Sequence, residues 1–198
     1  MTDAQKQRVI ALGKLVSGAS DEEFAANIGD YVDLDGFARY SAVLVWLANH
    51  DSLLQNGQNF YTYLHPDTNR MHFIAWDQDF SFGNSRNPTW SIYAPWASGN
   101  RFLSRLHNLE AFRSKYLARM TEFSERLFVT ERLKQQVSEI GPAIRPSVEL
   151  EGVEWLGGFD QIAAGSSGIV PYVTSRATFV KAELAKGDAK GGGPVAAR

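Results

Sequence analysis

The sequence predicts an α+β fold that is mostly helical, with one β-hairpin set into it. Three observations carry this expectation. Apolar residues recur at three- and four-residue spacing through most of the chain. Two short runs, 59–64 and 71–76, are rich in residues that favour strands, and the segment between them, His65-Pro66-Asp67-Thr68-Asn69-Arg70, has hairpin-loop chemistry. Helical spacing then returns near residue 101 and persists in segments to about residue 185.

Taken in order, residues 4–16 form a first helix with Val9, Leu12 and Val16 on one face and Gly18 as its stop. Ser20-Asp21-Glu22-Glu23 has the form of a capping box opening a short second helix. A third starts after Asp33, turns Leu34, Phe37, Leu44 and Leu47 inward, and ends near Asn49. Residues 51–58 are a loop, with Asn56-Gly57 as its turn signal. After the hairpin, Asp77-Gln78-Asp79-Phe80-Ser81-Phe82-Gly83 leads into an irregular aromatic loop over 84–100. One long helix is expected over 101–128, with Leu103, Leu106, Leu109, Phe112, Tyr116, Leu117 and Met120 in the core. Another is expected over 130–144, with Thr130 as its cap. The last spans 170–185, after the Gly- and Ser-rich stretch 163–168. Residues 1–185 form the domain, and the Gly- and Lys-containing residues 186–198 are a flexible tail or linker.

Composition narrows the functional classes. With 44% hydrophobic and 12% aromatic residues, 198 residues can bury a sizeable core. The balance of 20 basic and 22 acidic residues, net −2, argues against a dominant nucleic-acid surface. It does not argue against phosphate ligands, because a metal ion can supply the positive charge. The chain has no cysteine, which excludes disulfides and thiolate metal sites. No apolar run approaches the ~18 residues of a membrane span. The N-terminus lacks signal-peptide character. Cell-surface or secreted placement would therefore require an upstream signal, and the compartment stays open.

Three groups can carry chemistry. Asp51 lies just past a helix end, Asn59 stands at the entrance of the first strand, and Asp77 and Asp79 leave the second. Side chains two apart in extended backbone point the same way, so both carboxylates can face one site. Two carboxylates and an amide oxygen are hard ligands suited to Mg²⁺ or Mn²⁺. Such an ion neutralises charge during phosphoryl transfer, with Asp51 accepting a hydroxyl proton. The competing reading is structural, since Asp and Asn in loops commonly make turns and caps. For Trp76-Asp77-Gln78-Asp79 that reading is weaker, because neighbouring acids repel unless something compensates. His50, His65, His72 and His107 show no ligand spacing and read as surface or hydrogen-bonding residues. Neither a phosphate-binding Gly-rich loop nor a Gly-x-Ser-x-Gly setting is present. In the aromatic loop, Trp90, Tyr93 and Trp96 can wall an acceptor site or pin the loop to the core.

The segments that carry a family resemblance are Val32-Asp33-Leu34-Asp35-Gly36-Phe37, Leu47-Ala48-Asn49-His50-Asp51, Asn59-Phe60-Tyr61-Thr62-Tyr63 and Phe73-Ile74-Ala75-Trp76-Asp77-Gln78-Asp79-Phe80-Ser81-Phe82-Gly83. Together they resemble the CotH (spore coat protein H) family. Weaker matches are Phe112 to Tyr116, Phe128 to Leu133 and Ser175 to Phe179. The resemblance implies an atypical protein-kinase-like fold, here its C-terminal lobe, with the metal-binding acids on the hairpin. It implies transfer of phosphate from ATP, with Mg²⁺ or Mn²⁺, to Ser/Thr hydroxyls of a protein substrate such as a coat or surface protein. Asp51 takes the place of the catalytic aspartate and Asn59 that of the metal-binding asparagine. Asp77 and Asp79 occupy the acidic pair, either of which can be the primary ligand. Ala75 replaces a usual proline, and the spacing from Asp51 to Asn59 is longer than common. Few residues precede Asp33, and they read as helices. The nucleotide-binding lobe is therefore expected to be missing, leaving the fragment alone inactive. The alternative is a non-catalytic adhesion or carbohydrate-associated module of the same fold. A metal-dependent phosphohydrolase is a third reading.

Overall fold

The computed structural model describes residues 2–82, 87–97, 99–166 and 168–186. Gly83, the start of the aromatic loop and the tail from 187 lie outside the described residues. The chain runs α1 (Asp3–Gly18), α2 (Asp21–Tyr31), α3 (Leu34–Trp46), β1 (Phe60–Leu64), β2 (Met71–Ala75), α4 (Arg101–Asn108), α5 (Glu110–Arg126), α6 (Thr130–Glu151), α7 (Val153–Ala164) and α8 (Ile169–Ala185).

Local chemistry sets the early boundaries. The reciprocal capping box is at Thr2 and Gln5. At α2, Ser20 accepts from the Glu23 N–H at 3.2 Å. Asp33 caps α3 by accepting from the Gly36 N–H at 3.1 Å. A Cβ at residue 36 would sit 2.4 Å from Asp33 Oδ2, so the cap itself requires glycine there.

α3 is the centre of the molecule. It buries Phe37, Ala38, Tyr40, Ser41, Ala42, Leu44, Val45 and Trp46, and packs against α5 on one side and β2 on another. Phe37 meets Phe73 at 4.7 Å between ring centres, Phe102 at 5.3 Å and Phe112 at 5.9 Å, joining the hairpin, α4 and α5 in one aromatic cluster. The two strands pair antiparallel, Phe60 with Ala75 through Leu64 with Met71. A bond from the Asp33 N–H to the Met71 carbonyl, 3.1 Å, fastens the hairpin to the start of α3.

The helix expected over 101–128 is broken. Leu109 is extended, with φ −80° and ψ 116°, and serves as both C-cap of α4 and N-cap of α5. Apolar spacing is kept on both sides of the corner, so periodicity alone did not reveal it; Leu103, Leu106, Phe112 and Tyr116 all reach the core. The helix expected over 130–144 runs on to Glu151 through Pro142 and Pro146. Its cap is Val129 without a side-chain bond, and Thr130 is its first residue. A further helix, α7, follows the corner at Gly152, whose φ of +152° suits glycine. α8 returns to the core with Tyr172, Val173, Arg176, Ala177 and Val180 buried. No helix among the described residues is long and apolar enough to cross a membrane.

Candidate active site

Backbone conformation singles out the site before any side chain is considered. Among the described residues, five that are not glycine take positive φ: Ala48 (51°), Asn59 (53°), Asn69 (53°), Asp77 (48°) and Phe82 (57°). All but Asn69 border the loops that carry the predicted acids. Asn and Asp tolerate this region, whereas Ala and Phe do so at a cost, and such strain concentrates at functional sites.

The first arm of the site leaves α3. Ala48 turns the chain, and Asn49, fully buried, accepts the Asp51 N–H on its Oδ1 at 2.9 Å. The Asp51 carboxylate is held on both oxygens. Asn56 donates to Oδ1, and Asn59 Nδ2 donates to Oδ2 at 2.7 Å and to the Asp51 carbonyl at 2.9 Å. Asp51 and Asn59 are thus brought together across the loop, and the longer spacing between them is absorbed by the turn at 52–57.

The second arm leaves β2. The Trp76 N–H bonds the Asn59 carbonyl at 3.0 Å, extending the ladder by one step. Asp77 then takes its left-handed conformation and ends the strand, so the chain is not extended through Gln78 and Asp79. The two carboxylates are nevertheless close enough to hydrogen-bond one another. Asp79, although exposed, is held above its ordinary carboxylate value, first by lost hydration, then by the charge of Asp77 and its hydrogen bond, and also by the charge of Asp51. The Phe80 N–H pulls the other way. The three acids, 26 to 28 residues apart at the ends of this span, therefore meet electrostatically at one place.

Among the described residues no three His, Asp or Glu side chains form a group that could hold a metal ion by themselves. A cation here would rest on Asp77 and Asp79, on the Oδ1 of Asn59, whose Nδ2 is taken by Asp51, and on oxygens of a bound phosphate. Beside Asp79 opens a cavity of about 310 Å³, lined by Gln78, Asp79, Ser81 and Phe82 on one side and Ile162, Gly168 and Ile169 on the other.

The aromatic loop is fastened inward. Trp96 stacks on His107 at 3.4 Å between ring centres, the Tyr93 hydroxyl donates to the Glu183 carbonyl at 2.8 Å, and the Trp90 carbonyl accepts from Arg176. Ile92 is fully buried, and its carbonyl accepts from the Tyr116 hydroxyl at 2.8 Å. These contacts match the pinning role for Trp90, Tyr93 and Trp96. On the hairpin, by contrast, aromatics are exposed: Tyr61 (55% exposed) and Trp76 (57%) meet edge to face at 5.4 Å, with Tyr63 nearby on the same strand as Tyr61.

Sequence reasoning assigned no role to Arg176 and misplaced His107. Arg176 is fully buried in α8 and donates to the carbonyls of Val45 and Trp46 at the end of α3 and of Pro88 and Trp90 in the aromatic loop. Its signal was a lone cation among Tyr172, Val173, Ala177 and Val180, on the apolar face of the helix. His107, read from sequence as a surface or hydrogen-bonding residue, is neither. It is buried against Trp96, Phe112 and Tyr116, and neither ring nitrogen has a hydrogen-bond partner among the described residues. Burial, aided by the charge of Arg113, lowers its pKa to about 3, so the ring is neutral.

The inner spore coat protein H of Bacillus subtilis (strain 168) is 21% identical over 164 residues, which cover 82% of this chain and 44% of that protein. The chain thus spans less than half the length of the curated relative it matches. The family model described as CotH kinase protein matches residues 1–180, so the chain belongs to the CotH family.

Proposed function

We propose that this chain carries the metal-binding and catalytic half of an ATP-dependent phosphotransferase acting on Ser/Thr hydroxyls of a protein substrate, in a protein-kinase-like lower lobe. One observation carries the reading: Asp51, Asp77 and Asp79 converge from two loops that Ala48 and Phe82 flank in the costly left-handed conformation. An acid such as Asp79, whose proton affinity is raised by lost hydration and by acidic neighbours, is a poor structural element and a good cation ligand. A bound Mg²⁺ or Mn²⁺ would supply charge neutralisation at the phosphate being transferred.

The chain's own residues do the rest. Asn56 and Asn59 fix both oxygens of Asp51, so the carboxylate is oriented before an acceptor arrives. Asp51 then accepts the proton of the acceptor hydroxyl. The cavity beside Asp79 gives room for the acceptor segment.

The test uses the complete protein with ATP and Mn²⁺, following phosphate transfer to a coat or surface protein. Asp51→Asn should lower the rate about 10²- to 10⁴-fold while Mn²⁺ binding is retained. Asp77→Asn should lose Mn²⁺ affinity as well as transfer. Retention of transfer in both variants sinks the reading.

A second reading is favoured by the exposed face of the hairpin. Tyr61, Tyr63 and Trp76 present ring surface that can stack on a sugar or a peptide without any chemistry. In that case Tyr61→Ala and Trp76→Ala abolish ligand capture, and Asp77→Asn leaves it intact.

A further inference from the structure

We propose that Asn49 is a positioning residue, which ties the loop of Asp51 to the loop of Asp77 and Asp79 and sets the distance between them. The inference rests on the reading that the acidic pair holds a divalent cation. Asn49 is fully buried, where an amide is tolerated only if its hydrogen bonds are made. Its Oδ1 takes the Asp51 N–H at 2.9 Å, and its Nδ2 donates to Gln78 Oε1 at 3.0 Å and to Ser81 Oγ at 3.4 Å. Those acceptors lie 29 and 32 residues further along the chain, on the loop that carries Asp79.

A turn at the end of α3 would need only the first of these bonds, the local one to Asp51. The other two serve no purpose in that turn and connect the two arms. Gln78 is itself fixed, because its Nε2 donates to the Trp76 carbonyl at 2.7 Å. A second tie runs parallel, from the Phe82 N–H to the Leu47 carbonyl at 3.1 Å. The backbone bond aligns the arms, and the Asn49 amide adds the side-chain link within two residues of Asp51. Residues that orient metal ligands without touching the ion commonly change affinity 10- to 100-fold when removed.

The experiment is a Mn²⁺ titration by calorimetry on the 198-residue chain, with thermal unfolding recorded for each variant. Asn49→Ala should weaken Mn²⁺ binding about 10- to 100-fold. Leu15→Ala, buried in α1 away from the site, should lower the unfolding temperature and leave Mn²⁺ affinity unchanged, which separates positioning from stability. Should Asn49→Ala fail to fold, the double variant Gln78→Leu/Ser81→Ala removes the same two bonds from the other side and should weaken binding equally. Wild-type affinity in Asn49→Ala or in that double variant, with Asp77→Asn impaired, overturns the role of Asn49 alone. A wild-type chain that binds no Mn²⁺ overturns the reading of the acids and this role with it.

Discussion

α3 and α6 differ sharply in how much of each is enclosed. α3 has 13 residues and buries eight of them; α6 has 22 and buries none. α7, which packs along α6, also buries none and leaves Trp155 61% and Ile162 58% exposed. The difference shows how the site is supported. Asp51 lies in the loop that leaves α3, the most enclosed helix described, and the acidic loop is bonded back to α3's C-cap, Leu47. The α6–α7 pair contributes only Ile162 to the cavity wall beside Asp79. The candidate site's acids are attached to the enclosed part, and the less buried pair borders the cavity beside Asp79.

The largest test of this contrast is at the arginines. Arg176→Met removes a buried side chain that donates to four carbonyls of α3 and the aromatic loop and should cost about 3 kcal/mol or more in equilibrium urea unfolding. Arg145→Ala in α6, which breaks a surface pair with Asp160, should cause no resolvable change. Comparable losses in the two would remove the distinction between the regions.

Acid should act through the enclosed region next. His107 has a folded pKa of about 3 against an ordinary 6.5, so between those values the unfolded chain holds a proton that the folded chain does not. Stability is then full above pH 6.5 and falls by about 1.4 kcal/mol per pH unit as pH drops below it. His107→Phe should flatten this dependence between pH 6.5 and 5, measured by urea unfolding at each pH. α6 and α7 contain no histidine and offer no such response.

The smallest effect compares two alanines. In Ala48→Gly, relief of about 1 kcal/mol of left-handed strain nearly balances about 0.8 kcal/mol of lost methyl burial, leaving stability within about 0.5 kcal/mol of wild type. Ala143→Gly, exposed in the middle of α6, has no strain to relieve and should cost about 1 kcal/mol. A larger loss at residue 48 than at residue 143 would show that the turn after α3 is not strained.

Much of this was legible in the sequence, for identifiable reasons. The hairpin, the start of α3 after Asp33 and the inward placing of Phe37 and Leu44 follow from periodicity and turn chemistry, which act over a few residues. The corner at Leu109 was not legible, because apolar spacing continues across it. α7 was not either, since its glycines and exposed apolar residues match neither a clean helical stripe nor a loop. At the site, Asp51 and Asn59 could be named from their positions, but the bond between them is a matter of folding. Asp77 and Asp79 were expected on one face of an extended segment; they are neighbours because the chain turns at Asp77. Asn49 and Arg176 escaped notice because their partners are mostly backbone or distant side chains, which no local pattern records.

The left-handed conformation at Asp77 also constrains how this position can change over evolutionary time. Asparagine and glycine fit that backbone readily, whereas alanine or valine would have to bear the strain as well as lose the carboxylate. A lineage that kept the fold after giving up the carboxylate should therefore drift to Asn or Gly at residue 77, and a bulky or branched residue there would mark a loop that has been rebuilt.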